Sequence, residues 1–192
     1  ILYMHGAFGK RLKPDDRVKQ LFDKQRATLS LGYIGLYEVA SVFYGGEWEK
    51  NKEAKDFTLD IMKYMKQCVD KWTSEGDYWY SIYSTPSESL TDRFCRMDTE
   101  KFGMVENVTD KEYYTNSYHY DVRKNPTPFE KLDFEKDYPY YASGGFIHYC
   151  EYPVLKQNPK ALEAVWDFAY DKVGYLGTNT PIDRCYNCNF EG

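Results

Sequence analysis

From Glu53 to Ser74 apolar side chains return at steps of three and four. Phe57, Ile61, Tyr64, Met65, Cys68 and Trp72 fall on one face, while Lys55, Asp56, Lys63, Lys66 and Lys71 take much of the rest. This predicts a long amphipathic helix, closed by Gly76. The pattern then shortens. Tyr78–Tyr83 is aromatic-rich and predicts a strand, and helical spacing resumes over Pro86–Asp98, with Leu90, Phe94 and Met97 on one side. Lys111–Val122 alternates well enough to predict a strand. Pro128 opens a short helix in its first turn, and Gly144–Tyr152, an apolar run after a double glycine, predicts a buried strand. The best-marked helix follows: Asn158 suits the N-cap, Pro159 the first helical position, and Leu162, Val165, Trp166, Ala169 and Val173 make its stripe. Gly174–Asn179 predicts a last short strand.

Strands and helices thus alternate, which indicates an α/β fold with neighbouring strands largely parallel. Ligands in such folds sit at the C-terminal strand ends. The turn after Tyr83, Ser84-Thr85-Pro86-Ser87-Glu88-Ser89, occupies such an end. Thr85 and Glu88 have the spacing of a capping box, with Pro86 at the first helical position. Alone, the box means a well-capped helix. The further hydroxyls of Ser84, Ser87 and Ser89 add neutral donors around a helix N-terminus, whose free N–H groups and positive dipole end favour phosphate oxygens. A di- or triphosphate could dock there without a lysine.

Composition narrows the class. The 192 residues are 42% hydrophobic and 29% charged, so the chain is globular, and no run approaches the ~18 apolar residues of a membrane span. A formal charge of -5 argues against a broad nucleic-acid surface, yet leaves a small anionic ligand open. The opening Ile1-Leu2-Tyr3 carries neither initiator Met nor signal-peptide layout, so the chain reads as a segment of something longer. Five cysteines, an odd number without a secretory signal, point to a reducing, cytoplasmic compartment.

Cys185 and Cys188 form a Cys-x-x-Cys that fits half of a zinc ribbon, with a redox pair as the alternative. Among the histidines, His119 sits near several polar groups, Asn116 included, and is a candidate pocket-lining residue. His148 lies in an apolar run and reads as a core residue that could also face the pocket. It shares a strand face with Cys150, a buried thiol rather than an activated one. Cys68 and Cys95 sit in helix stripes and read as packing residues.

Read together, LGYIGLYEV, YSTPSESLTDRFCRMD, YYTNSYHYDV, YASGGFIHYCEYP and VGYLGTNTPIDRCYNC resemble the class III anaerobic ribonucleoside-triphosphate reductases, in order from Leu31 to Cys188. The resemblance to phage and enterobacterial members is especially close. The resemblance implies the second half of a ten-stranded α/β barrel of the glycyl radical enzyme type. Residues 1–184 would be barrel, and 185–192 the start of a zinc-binding C-terminal region. It implies reduction of ribonucleoside triphosphates by glycyl and thiyl radical chemistry, with formate as reductant and a partner activase, an iron–sulfur enzyme using S-adenosylmethionine, making the radical. A homodimer with nucleotide effectors is implied too, and neither direct DNA binding nor membrane association.

In related reductases a hydroxyl-rich turn holds the substrate phosphates. The matching positions here are Ser84, Thr85, Ser87, Glu88 and Ser89, and Cys185 and Cys188 match the first of two zinc-binding Cys-x-x-Cys pairs. The thiyl cysteine and radical glycine have no counterpart in this sequence, so no catalytic residue is assigned and the segment alone is expected to be inactive. A non-catalytic nucleotide-binding or zinc-ribbon interaction module is the competing reading. A glycyl radical enzyme acting on an acyl or diol substrate is a third, which the phosphate-ready turn speaks against.

Overall fold

Four short strands, paired in parallel, organise the chain. The computed structural model describes residues 1–84, 86–153, 155, 158–180 and 186–189. In order they form α1 (Lys19–Phe22), β1 (Thr28–Gly32), α2 (Leu36–Tyr44), α3 (Lys52–Glu75), β2 (Trp79–Tyr83), α4 (Glu88–Phe102), α5 (Pro128–Glu135), β3 (His148–Glu151), α6 (Pro159–Ala169) and β4 (Leu176–Asn179). β1 pairs with β2 from Thr28↔Trp79 to Gly32↔Tyr83, and β3 with β4 from His148↔Leu176 to Glu151↔Asn179. Parallel pairing demands a long crossover, supplied by α2 and α3 in one case and α6 in the other. A parallel bridge between Tyr83 and Gly145 ties the two pairs together. There Gly144 N–H donates to Ile82 O at 2.6 Å and Ser84 N–H to Gly145 O at 3.0 Å. A Cβ on Gly144 would lie 2.5 Å from Ser81 Oγ and 2.9 Å from Ile82 O, so the approach of the two backbones requires glycine.

The parallel α/β expectation holds, but several local readings change. β1 and α2 carry no clear sequence signal. β1 is mostly exposed and its apolar residues are diluted by Thr28, Ser30 and Gly32. The α3 stripe is rotated by about one position. Ala54, Thr58, Met62 and Val69 are the buried residues, while Tyr64 is 68% exposed and Trp72 43%. The reason is polar: Thr58 Oγ accepts from Trp48 Nε1–H at 3.1 Å and pairs with the Tyr138 hydroxyl at 2.8 Å. A hydroxyl that satisfies two buried rings belongs in the core, though a hydrophobic pattern counts it outside. Trp48 also packs edge-on against Phe134, with centroids 4.8 Å apart.

Residues 111–122 are not a strand. The segment makes one antiparallel bridge, Ile34↔Asn116, and positive φ at Glu112 (30°) and Ser117 (39°) interrupts the extended run. Most of what it buries is polar, Lys111, Thr115, Ser117 and Asp121, with Tyr118 the core residue among them. In α4 the buried positions are Thr91 and Cys95, whereas Phe94 and Met97 are exposed. β3 is half-buried: His148 and Cys150 point inward together, and Tyr149 and Glu151 outward. α6 starts at Pro159 as read, but Asn158 makes no side-chain cap bond. The described residues contain no helix long and apolar enough to cross a membrane.

Candidate functional site

The turn after β2 starts from a pinned backbone. Ser84 is buried, and its hydroxyl lies 2.8 Å from that of Tyr33. Burial pushes the Tyr33 phenol well above its usual range, against the opposing Ser84 hydrogen bond, so this pair is a neutral structural contact. α4 begins at Glu88 with Ser87 at its cap, two residues later than a box opened by Thr85 would place it. Thr85 itself lies outside the described residues. Ser87 is buried; its N–H donates to Asn116 Oδ1 at 2.8 Å and its C=O accepts from Leu90 and Thr91 N–H. Its hydroxyl makes no cap bond. Glu88 and Ser89 are exposed. The full capping box of this chain is instead at α5, between Thr127 and Glu130. A cavity of about 470 Å³ adjoins the turn, lined by Gly32, Tyr33, Tyr83, Ser87 and Phe94. It lies at the C-terminal ends of β1 and β2, where this architecture places ligands.

Asn116, bonded to Ser87 of the first cavity's lining, itself lines a second of about 340 Å³ with Thr91, Tyr114, His119, Lys131 and Glu151 among others. Two of the predicted pocket residues, Asn116 and His119, therefore meet there. The third does not reach it. His148 is fully buried behind the wall, against Glu135.

Glu135, fully buried, organises that wall. Its Oε1 accepts from Tyr120 N–H at 2.7 Å and from Lys131 Nζ at 2.6 Å. Its Oε2 lies 3.3 Å from His119 Nδ1 and 2.6 Å from His148 Nδ1, the latter a close contact poorly aligned for a hydrogen bond. Burial alone would raise the Glu135 carboxyl. The charges of Lys131 and His119, with the contacts from both histidines, outweigh it and hold the group well below 4.5. Burial lowers His148 from 6.5, against the pull of Glu135. Its Nε2 sits 3.2 Å from Cys150 Sγ, and burial pushes that thiol up, so Cys150 is a packed thiol and not an activated one.

Both Glu135 and His148 titrate lower in the folded chain than in the unfolded one. Their stabilisation is thus present above the unfolded values and lost as pH falls. The thermal midpoint of the complete protein should begin to drop below about pH 6.5 through His148 and fall further below about 4.5 through Glu135. A melting series against pH checks this, and His148→Gln should remove the upper step only.

A second buried pair fixes the loop that carries Asn116 and His119. Glu38 Oε1 accepts from Lys111 Nζ at 2.6 Å, Thr115 N–H at 2.8 Å and Thr115 Oγ at 2.9 Å. Lys111 Nζ also lies 4.4 Å from the Tyr37 ring centre. Lys111 and Glu38 escape a sequence reading because each looks like a surface charge. Lys131 and Glu135 do give a signal, an i,i+4 pair on a helix, but one that ordinarily means a solvated face. At the other end Cys188 is exposed, and Cys185 lies outside the described residues. No group of three or more His, Cys, Asp or Glu among the described residues is arranged to hold a metal.

Residues 1–192 match a protein family described as anaerobic ribonucleoside-triphosphate reductase. Proteins of that name from Haemophilus influenzae and Escherichia coli are 54% and 53% identical to the chain over its whole length. The chain spans 27% of the length of each. A solved structure of the anaerobic ribonucleotide reductase from Thermotoga maritima, in complex with dATP and CTP, superposes with a TM-score of 0.66 at 20% identity. It covers 87% of this chain and 28% of that one, a likeness of fold.

Proposed function

The chain belongs to the anaerobic ribonucleoside-triphosphate reductase family, and on that premise we propose that it supplies the substrate-phosphate seat of an enzyme reducing ribonucleoside triphosphates to deoxyribonucleoside triphosphates. The carrying observation is the start of α4. It opens at the C-terminal end of a parallel strand, beside a cavity of about 470 Å³, with a cap hydroxyl that the helix does not use. A helix start so placed offers N–H donors and the positive dipole end to a phosphate. Ser84 acts on the backbone side, through Tyr33 and Gly145, and Ser87, Glu88 and Ser89 are proposed as the ligand side.

The surrounding architecture is the second half of a ten-stranded barrel. The radical glycine and thiyl cysteine belong to other parts of the longer protein. Radical chemistry with formate as reductant, installed by a partner activase, completes the reaction there. Residues 185–192 open a C-terminal region in which Cys185 and Cys188 give two of four thiolates to a structural zinc. The enzyme acts in the cytoplasm as a homodimer under nucleotide effectors.

Ser87→Ala in the complete enzyme tests the seat. A donor lost to a charged oxygen costs about 1.5–3 kcal/mol, so the KM for a ribonucleoside triphosphate should rise roughly tenfold to a hundredfold. An unchanged KM would remove the phosphate role.

A further inference from the structure

The second cavity presents donors. Asn116 must direct Oδ1 to the Ser87 N–H, because only the oxygen accepts; its amide Nδ2 is left as a donor with no partner among the described residues. His119 lines the same cavity and is tied to the wall by Nδ1 alone, while its Nε2 makes no hydrogen bond among the described residues. Lys131 lines it as well, and its Nζ lies 3.5 Å from His119 Nδ1. Behind them stands Glu135, one carboxylate facing Lys131, His119 and His148. Glu135 balances the Lys131 charge. With its Nδ1 edge held at Glu135 and Lys131, the His119 ring presents its Nε2 edge to a ligand. The acid in the lining, Glu151, is exposed.

We propose that this cavity takes the outer phosphates of a ribonucleoside triphosphate, with His119 Nε2–H and Asn116 Nδ2–H as donors and Glu135 positioning the imidazole. The proposal rests on the phosphate seat at Ser87–Ser89 and extends it. Asn116 belongs to both sites, since it holds the Ser87 backbone with one atom and faces the cavity with the other. In this proposal the inner phosphate sits at the helix start and the outer ones lie on the Asn116 and His119 side. The cluster gives the protein a means of telling triphosphates from monophosphates without placing an unpaired charge in its interior.

The experiment is equilibrium binding of CTP and of CMP to the complete, radical-free enzyme, wild type against His119→Ala, His119→Gln and Ser87→Ala. His119→Ala should weaken CTP about tenfold and leave CMP unchanged. His119→Gln, which keeps an N–H donor, should recover CTP affinity to within about threefold of wild type. Ser87→Ala should weaken both ligands alike. Unchanged CTP affinity in His119→Ala overturns the proposal, and so does an equal loss for CTP and CMP, which marks the ring as structural. A normal Ser87→Ala beside a selective His119→Ala would remove the helix-start seat and leave the outer-phosphate site standing. Both variants binding like wild type would remove both.

Discussion

Replacing Glu135 with Gln is expected to lower the local stability of α5 and the 117–122 loop by about 3–5 kcal/mol, the usual cost of breaking a buried ion pair by removing one partner. The amide still accepts from Tyr120 N–H, so the backbone contact survives. What is lost is the counter-charge. Lys131 is only 11% exposed and its Nζ depends on Glu135 Oε1 at 2.6 Å; His119 and His148 face the same group. The desolvated ammonium then finds no anion at that place. The loss should appear as amide exchange accelerated by a factor of a hundred or more in peptides covering α5 and residues 117–122 of the complete protein. Adding Lys131→Met should restore much of the protection, because neutralising both partners removes the buried unpaired charge together with the pairing. Unaltered exchange in Glu135→Gln, or a double variant no better than the single, would show that the cluster does not hold this wall.

How far the sequence carries this picture depends on what kind of residue faces inward. α6 was legible because its buried positions, Val165 and Ala169, are apolar and proline marks its start; β2 was legible from its run of aromatics, although Ser81 is buried beside Ile82. The turn after β2 was legible as a place, from its hydroxyls and its position after a strand. Its register was not: Asn116, far along the chain, holds the Ser87 N–H and α4 begins at Glu88. The same limit explains α3 and residues 111–122. Thr58, Lys111 and Thr115 are buried through partners remote in sequence, Tyr138 for Thr58 and Glu38 for Lys111 and Thr115. Periodicity arguments score such residues as solvent-facing. His119 was legible as a pocket residue from its polar neighbours, but Lys131 and Glu135 behind it were not, since an i,i+4 pair looks the same whether the helix face is wet or dry.

Lys111→Met should have an effect of similar size, about 3–5 kcal/mol, and should carry it into the candidate site. The substitution keeps most of the side-chain volume against Tyr37 but leaves Glu38, 4% exposed, facing only Thr115. Glu38 Oε2 has no hydrogen-bond partner among the described residues even in the native chain, so nothing nearby compensates the lost ammonium. Thr115 is the next residue to Asn116, and Thr115 O accepts from Gly35 N–H at 2.8 Å, which joins the loop to the start of α2. Loosening Thr115 therefore releases the amide that fixes Ser87 at the head of α4. Two readouts should move together in the complete protein: faster amide exchange across residues 111–122, and weaker binding of CTP and CMP alike, since the whole helix start is displaced. Glu38→Gln combined with Lys111→Met should recover both, because a neutral amide can keep the Thr115 contacts without a buried unpaired charge. Faster exchange with unchanged nucleotide binding would separate the loop from the proposed phosphate seat and confine Lys111 to stability. Binding that stays weak in the double variant would instead give the ammonium itself a part in holding the ligand.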